Sequence, residues 1–198
     1  MEDRSVRYLL LLLALTLAAG CGAAASGTPD ADGHTARSEK TPPKNSEAAD
    51  VGLSILSFDE IQQRIASKRG RVVVMDAWST SCPPCMKDFH NLVELHEQYG
   101  PDTVACVSLS FDYEGIDKPE DQSDRVLKFL RSQRATFDNL MSNEESDVLY
   151  RKFKLNAVPA VFVYDRAGAL RERFEGEGAY EQVRALVAQL VKENPPAP

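Results

Sequence analysis

Two cysteines separated by two residues, Cys82 and Cys85, stand between a predicted strand and a predicted helix. The apolar run 72–75 before them is typical of a buried strand, and an amphipathic pattern follows them. A cysteine at a helix N-terminus meets unpaired N–H groups and the positive end of the helix dipole, which lower the pKa of its thiol. The second cysteine lies one helical turn further on, close enough for a short disulfide with the first. The pattern predicts an α/β fold that carries a dithiol able to cycle.

The charge of the chain argues against nucleic acid as a partner. Its 198 residues have a formal net charge of -7, and no cluster of basic residues interrupts the acidic pattern. Binding to phosphates requires a clustered basic face. A hydrophobic content of 43% and a charged content of 27% are ordinary for a soluble globular domain.

The N-terminus has the pattern of an export signal. Arg4 and Arg7 precede an apolar run at 8–19, which is shorter than the roughly 20 residues of a spanning helix. The residues Ala18-Ala19-Gly20 before Cys21 resemble a bacterial lipobox, in which the cysteine sulfur receives a diacylglyceryl group. An ordinary cleaved signal peptide is the alternative. Either interpretation predicts that the chain is exported from the cytoplasm.

The chain divides into three predicted parts. Residues 1–20 form the signal peptide, and residues 21–50 form a lipidated cysteine and a disordered tether, because they are small, polar and without apolar periodicity. Residues 51–198 form the folded domain. Several acyl chains on Cys21 would hold the protein at a membrane surface.

The folded part alternates predicted strands and helices. Ser57 and Glu60 have the spacing of a capping box at the first helix. This order predicts a mixed sheet with helices on both faces. The predicted helices cover about 58–68, 84–99, 122–134, 144–153 and 179–192, and the predicted strands 71–78, 103–110, 137–141, 161–164 and 169–174.

Three features together resemble the thioredoxin superfamily, in its branch of TlpA-like membrane-anchored thiol–disulfide oxidoreductases with a redoxin-like domain. They are the segment 78–85 between strand and helix, the Val158-Pro159 pair before an apolar strand, and an extra helix and strand at about 122–141. The resemblance covers about 51–193. It implies a thioredoxin fold, with a central mixed sheet flanked by helices and a helix–strand insertion before the cis-proline half.

The resemblance implies a role for each cysteine of the pair. Cys82 is the expected nucleophile, and Cys85 is the expected resolving thiol, which releases the reduced partner. A structural disulfide and half of a zinc site are the alternatives, although no second pair of ligands has metal spacing. We predict neither a metal nor a cofactor.

Two acidic residues flank the cysteines in sequence. Asp76 resembles the buried aspartate of thioredoxins, and the resemblance implies that it accepts the proton of the second cysteine. Burial would raise the pKa of Asp76. Its alternative is an aspartate that caps nearby backbone. Asp88 stands where TlpA-like reductases often have a glutamate. Its alternative is an acid in a first helical turn that complements the helix dipole.

Further supporting residues follow from the resemblance. Pro159 is expected to be cis and close to the sulfurs, leaving the backbone of Val158 free to pair with an extended substrate. Trp78 is expected to pack under the active site, or else to be an ordinary core residue. Cys106 is predicted to be a buried, inert residue. Ser81 departs from the family, since many relatives have a second tryptophan there.

The residues between the cysteines affect the expected direction of electron flow. Pro83 and Pro84 lack N–H groups, so Cys82 has fewer local donors than its position suggests. We therefore hypothesise a moderately depressed pKa for Cys82, which favours a reductant over a strong oxidant.

The leading hypothesis is a lipid-anchored oxidoreductase that reduces disulfides in exported proteins, with electrons from a membrane protein. Apocytochrome c is one substrate that the resemblance allows. A thiol peroxidase is the first alternative, although Ser79 takes the place of the threonine of peroxiredoxins and Thr80 comes one residue later. A non-catalytic binding module of the same fold is the second.

Overall fold

Six strands and six helices make up the regular structure of residues 50–193, the part of the chain that the computed structural model describes. The predicted signal peptide, and residues 21–49 with the predicted lipidation site Cys21, lie outside the described residues. The strands are β1 (Ser54–Leu56), β2 (Val72–Trp78), β3 (Val104–Ser110), β4 (Asp138–Ser142), β5 (Ala160–Tyr164) and β6 (Leu170–Glu175). The helices are α1 (Phe58–Ala66), α2 (Pro83–Asp88), α3 (His90–Tyr99), α4 (Glu120–Gln133), α5 (Ser146–Phe153) and α6 (Tyr180–Lys192).

The strands form one mixed sheet in the order β1-β4-β3-β2-β5-β6. The central strand β2 pairs in parallel with β3 and antiparallel with β5, and all seven of its residues are buried. β4, from the predicted insertion, lies between β3 and β1 and is parallel to both. The prediction of a thioredoxin fold with a helix–strand insertion is confirmed.

Helices cover both faces of the sheet, and each face has its own apolar core. One core packs α1 and α5 on the sheet through residues such as Ile61, Leu149 and Phe162. The other packs α3 and α6 through residues such as Leu95, Val187 and Val74. Period-2 alternation along β2 and β3 therefore divides buried side chains between two layers, as expected for a covered sheet.

The capping box predicted for α1 is present. The Ser57 side chain accepts a hydrogen bond from the Glu60 N–H at 3.4 Å, and the Glu60 carboxylate accepts one from the Ser57 N–H at 2.8 Å. These two bonds satisfy donors that the first turn of a helix leaves free. The helix ends at Ala66, slightly before the predicted end.

Two elements differ from the prediction. The single helix expected at 84–99 is two helices, because the Phe89 carbonyl accepts from the Leu92 N–H, three residues on, at 3.0 Å and so interrupts the regular pattern. The short strand β1 was not predicted, since three residues are too few to show alternation. β1 forms by pairing with β4.

Among residues 50–193, no helix combines the length and apolarity needed to cross a membrane.

Candidate active site

The two cysteines of the motif form a disulfide at the beginning of α2. Cys82 is the N-cap residue of α2 and is half-buried, whereas Cys85 is 2% exposed. The Cys85 N–H points at the Cys82 sulfur, with 3.3 Å between nitrogen and sulfur. The outer sulfur is therefore the one that a partner protein can reach, and the inner sulfur lies behind it.

The prolines remove two N–H groups from the N-terminus of α2. Pro83 and Pro84 occupy its first two positions, where N–H groups would otherwise face the N-cap side chain. The helix therefore presents fewer donors to the Cys82 sulfur than a helix of other residues would.

The loop before β5 approaches the same sulfur. The Val158–Pro159 peptide bond is cis, the conformation that the resemblance implied. The carbonyl oxygen of Val158 lies 3.6 Å from the Cys82 sulfur. The structure thus brings together two of the three parts of the chain that carried the sequence resemblance, 76 residues apart.

Asp76 is a buried carboxylate on the central strand. It is 3% exposed, and its Oδ2 accepts a hydrogen bond of 2.6 Å from the Tyr180 hydroxyl, while Oδ1 has no hydrogen-bond partner among the described residues. Burial raises the pKa of Asp76 to about 7; the bond from Tyr180 opposes this shift, and repulsion from Asp88 adds to it. The group can therefore change its protonation state near neutral pH.

Asp88 ends α2, so the alternative that it lies in a first helical turn is wrong. The predicted helix start near residue 84 agrees with the observed start of α2 at Pro83, but the first turn of α2 contains no acidic residue. The Asp88 Oδ2 instead accepts a hydrogen bond of 3.0 Å from the Gly178 N–H. This bond ties the loop between β6 and α6 to the end of α2.

Trp78 closes β2 and is fully buried. Its ring packs on Phe89, with centroids 5.0 Å apart, and on Phe129, with centroids 4.8 Å apart. Phe129 belongs to α4, so the insertion contributes to the apolar cluster that also contains Cys85. The ring nitrogen of Trp78 has no hydrogen-bond partner within the described part of the chain.

Sequence reasoning missed Asp112, Arg125 and Tyr180. Asp112 lies outside every predicted strand and helix, yet its carboxylate is buried and accepts hydrogen bonds from the segment before Cys82. The available signal was an acidic residue close behind a buried strand, at the same sheet edge as the cysteines. Tyr180 gave no signal, because its partner Asp76 is 104 positions away.

Other candidate ligands do not gather into a site. Within residues 50–193, no group of three or more His, Cys, Asp or Glu side chains is placed to hold a metal ion. Cys106 is buried in β3 as predicted, and burial raises the pKa of its thiol to about 12, with a further contribution from the Asp76 charge. That thiol stays protonated at physiological pH.

Comparisons with known proteins agree with this arrangement. The family model described as "Thioredoxin-like" matches residues 70–170. Protein DipZ of Mycobacterium bovis is 24% identical over 134 residues, which are 67% of this chain and 18% of DipZ. Thiol-disulfide oxidoreductase ResA of Bacillus cereus is 23% identical over 122 residues, which are 62% of this chain and 65% of ResA. A solved thiol-disulfide isomerase from Corynebacterium glutamicum, 20% identical, superimposes with a TM-score of 0.54 and covers 67% of this chain and 86% of that chain.

The fold and the disulfide at the start of α2 define the class of protein as thioredoxin-fold, and relatives such as ResA are named thiol-disulfide oxidoreductases. The chain belongs to the Thioredoxin-like family, as the matched residues, about half of its length, show. It spans less than two thirds of the length of DipZ and of ResA.

Proposed function

We propose that this protein reduces disulfide bonds in proteins exported from a bacterial cytoplasm, with the Cys82–Cys85 dithiol as the reductant. The observation that carries the proposal is the arrangement of the two sulfurs. Cys82 is accessible at the start of α2, beside the Val158 carbonyl, and Cys85 is buried behind it. The relatives named as thiol-disulfide oxidoreductases support the same type of reaction.

In the first step, the Cys82 thiolate attacks one sulfur of a substrate disulfide. A bond forms between Cys82 and that sulfur, the substrate disulfide breaks, and the other substrate sulfur leaves as a thiolate. The backbone of Val158, held beside Cys82 by the loop that contains Pro159, offers hydrogen bonds to an extended substrate segment.

In the second step, Asp76 accepts the proton of the Cys85 thiol, and the Cys85 thiolate attacks the Cys82 sulfur. The mixed disulfide breaks, the substrate leaves with its second sulfur as a thiolate, and the Cys82–Cys85 disulfide forms, which is the form in the structure. A carboxylate whose pKa is about 7 is suited to this transfer near neutral pH. Trp78 and Asp88 act as positioning residues, through the packing of Phe89 and the bond to Gly178.

The proposed site of action is the outer face of a bacterial membrane. The signal-like N-terminus, a lipid on Cys21 and the tether to residue 50 would let the domain reach exported clients, and a membrane dithiol protein would return it to the reduced form. Apocytochrome c is a candidate client, because its cysteines must be reduced before haem attachment. Fractionation of the native host, with Cys21→Ser as the comparison, tests the anchor: membrane association should be lost in that variant.

A trapping experiment tests the order of the two cysteines. The full chain with Cys85→Ser should accumulate a mixed disulfide with client proteins, because Cys82 can attack and the complex cannot resolve. The matched variant Cys82→Ser, which keeps Cys85, should accumulate none. Equal trapping by both variants would contradict the assignment of Cys82 as the nucleophile.

The reduction potential of the Cys82–Cys85 couple tests the direction of electron flow. A value near or below about -240 mV would agree with a reductant, since thioredoxin lies near -270 mV. A value near -120 mV, that of the oxidant DsbA, would instead make the protein a disulfide-forming enzyme.

The surroundings of Ser79 support disulfide exchange over peroxide reduction. Ser79 is buried, and its hydroxyl donates to Asp112 at 3.3 Å rather than standing free beside Cys82. Peroxide consumption by the reduced chain at a rate above its disulfide exchange would reverse this preference.

A further inference from the structure

A carboxylate without solvent contact lies where the active-site segment leaves the sheet. The Asp112 side chain is 0% exposed and follows β3 after a single residue, Phe111. The Phe111 N–H donates to the Trp78 carbonyl at 2.8 Å, which joins the ends of β3 and β2. Asp112 therefore lies against the segment Ser79–Cys82, which we call the redox turn.

The Asp112 carboxylate is the shared acceptor for the first half of the redox turn. The Thr80 N–H donates to both carboxylate oxygens at 3.1 Å, and the Thr80 hydroxyl also donates to Oδ1. The Ser79 hydroxyl donates to Oδ1 at 3.3 Å, and the Ser110 hydroxyl donates to Oδ2 at 2.6 Å. Hydrogen bonds to an ionised acceptor are stronger than neutral ones, so this carboxylate holds both residues firmly.

The hydrogen bonds continue through the redox turn to the nucleophile. The Ser79 hydroxyl accepts from the Ser81 N–H at 3.1 Å, and the Ser79 carbonyl accepts from the Cys82 N–H at 3.2 Å. Ser79 therefore fixes the two residues that lead into α2. Because Asp112 fixes Ser79, the position of Cys82 depends on a carboxylate 30 positions further along the chain.

The insertion helix α4 supplies the opposite charge. One guanidinium nitrogen of Arg125 lies 3.0 Å from the Asp112 Oδ1, and the Arg125 side chain is 53% exposed. A buried carboxylate without a cation partner is strongly unfavourable, whereas one with a cation and several donors is tolerated. Arg125 thus permits a charged acceptor at this place, and it joins α4 to the redox turn.

We propose that Asp112, with Arg125 as its counter-charge, is a positioning residue for Cys82 that holds the redox turn in the conformation required for attack on a disulfide. The inference rests on the proposed function, in which Cys82 is the nucleophile. Asp112 acts through Ser79 and Thr80.

The test compares two carboxylates in the full chain. Asp112→Asn keeps the size of the side chain but removes its charge and one of its accepting oxygens. The control Asp138→Asn makes the same change at the first residue of β4. The Asp138 carboxylate accepts hydrogen bonds from Arg64, at 3.2 Å, and from Lys68. Asp138 has no hydrogen bond to the redox turn among those of residues 50–193.

We expect Asp112→Asn to lower two rates by about tenfold, since small displacements of reacting groups have effects of this size or more. The first rate is kcat/KM for reduction of a protein disulfide such as that of insulin. The second is alkylation of Cys82 by iodoacetamide in the reduced chain. It is followed by mass spectrometry with fragmentation of the peptide, which separates a label on Cys82 from one on Cys85. The control should lose stability to urea but keep both rates within about twofold.

A second pair of variants covers the case in which Asp112→Asn does not fold. Thr80→Val removes a hydroxyl that donates to Asp112, and Thr80→Ser keeps it. Thr80→Val should lower the Cys82 alkylation rate, and Thr80→Ser should restore it. Wild-type rates and an unchanged reduction potential in a folded Asp112→Asn or Thr80→Val variant would overturn the inference. If the wild-type chain exchanges no disulfides, the proposed function fails, and the alkylation rates still decide the role of Asp112.

Discussion

At the scale of single residues, the site depends on how Asp76 is held. The only hydrogen bond to its carboxylate among the described residues comes from the hydroxyl of Tyr180, the first residue of α6, and the second carboxylate oxygen has no partner there. The bond stabilises the ionised form of Asp76, whereas burial and the charge of Asp88 favour the protonated form. Tyr180 therefore limits how far the pKa of Asp76 rises.

Replacement of Tyr180 by phenylalanine should raise the pKa of Asp76 above its value of about 7. The loss of one hydrogen bond to a charged group corresponds to an increase of about one pH unit. The measurement is the pH titration of the Asp76 carboxyl carbon by NMR in wild-type and Tyr180→Phe protein. Tyr164→Phe is a matched control, because Tyr164 is a tyrosine on β5 that makes no hydrogen bond to Asp76. A titration midpoint that moves down, or moves equally in the control, would contradict this role.

At the scale of elements, the break between α2 and α3 places an aromatic ring beneath the cysteines. Phe89, at the break, is fully buried and contacts Trp78 from β2 and Phe129 from α4. Cys85 belongs to the same apolar cluster. Three elements therefore meet directly behind the inner sulfur, and Phe89 is common to them.

Phe89→Ala should reduce the free energy of unfolding by about 3–5 kcal/mol, the usual range for removal of a buried phenylalanine ring. It should also change the reduction potential of the Cys82–Cys85 couple, because Phe89 belongs to the apolar cluster that contains Cys85. Phe162→Ala removes another buried ring, from the core on the α1 and α5 face. Urea unfolding should show similar losses for both variants, and only Phe89→Ala should alter the potential. An equal change of potential in both would assign the effect to general destabilisation.

At the scale of the whole molecule, one buried carboxylate makes stability depend on pH. The pKa of Asp76 is about 7 in the folded state, against about 3.9 in an unfolded chain. Between these values the folded state binds more protons than the unfolded state, so stability decreases as pH rises through this interval. Above pH 7 the ionised group is buried at a cost.

The oxidised protein should therefore lose about 2–3 kcal/mol of its free energy of unfolding between pH 5 and pH 8 through Asp76 alone. Asp76→Asn removes the titration, so the difference between its urea stability and that of the wild type isolates this contribution. The variant should be the more stable protein at pH 8, with a smaller advantage at pH 5. A constant difference across this range would show that Asp76 is ionised throughout.

The parts of the fold that were predicted from sequence are those with local causes. Apolar runs, the Ser57 capping box and the 82–85 motif each act within a few residues, and each is present in the structure. The missed parts need distant partners. β1 exists because β4 pairs with it, and Asp112 matters because Thr80 lies 32 positions before it. Local patterns contain no information about such contacts.

The participation of α4 beneath the sulfurs has a consequence for how such proteins diverge. Substitutions at Phe129 or Arg125 would alter what contacts Trp78 and Asp112 while every letter from Trp78 to Cys85 stayed the same. Two proteins with identical cysteine motifs can therefore differ in redox behaviour because of an inserted helix, and a comparison of motifs alone would group them together.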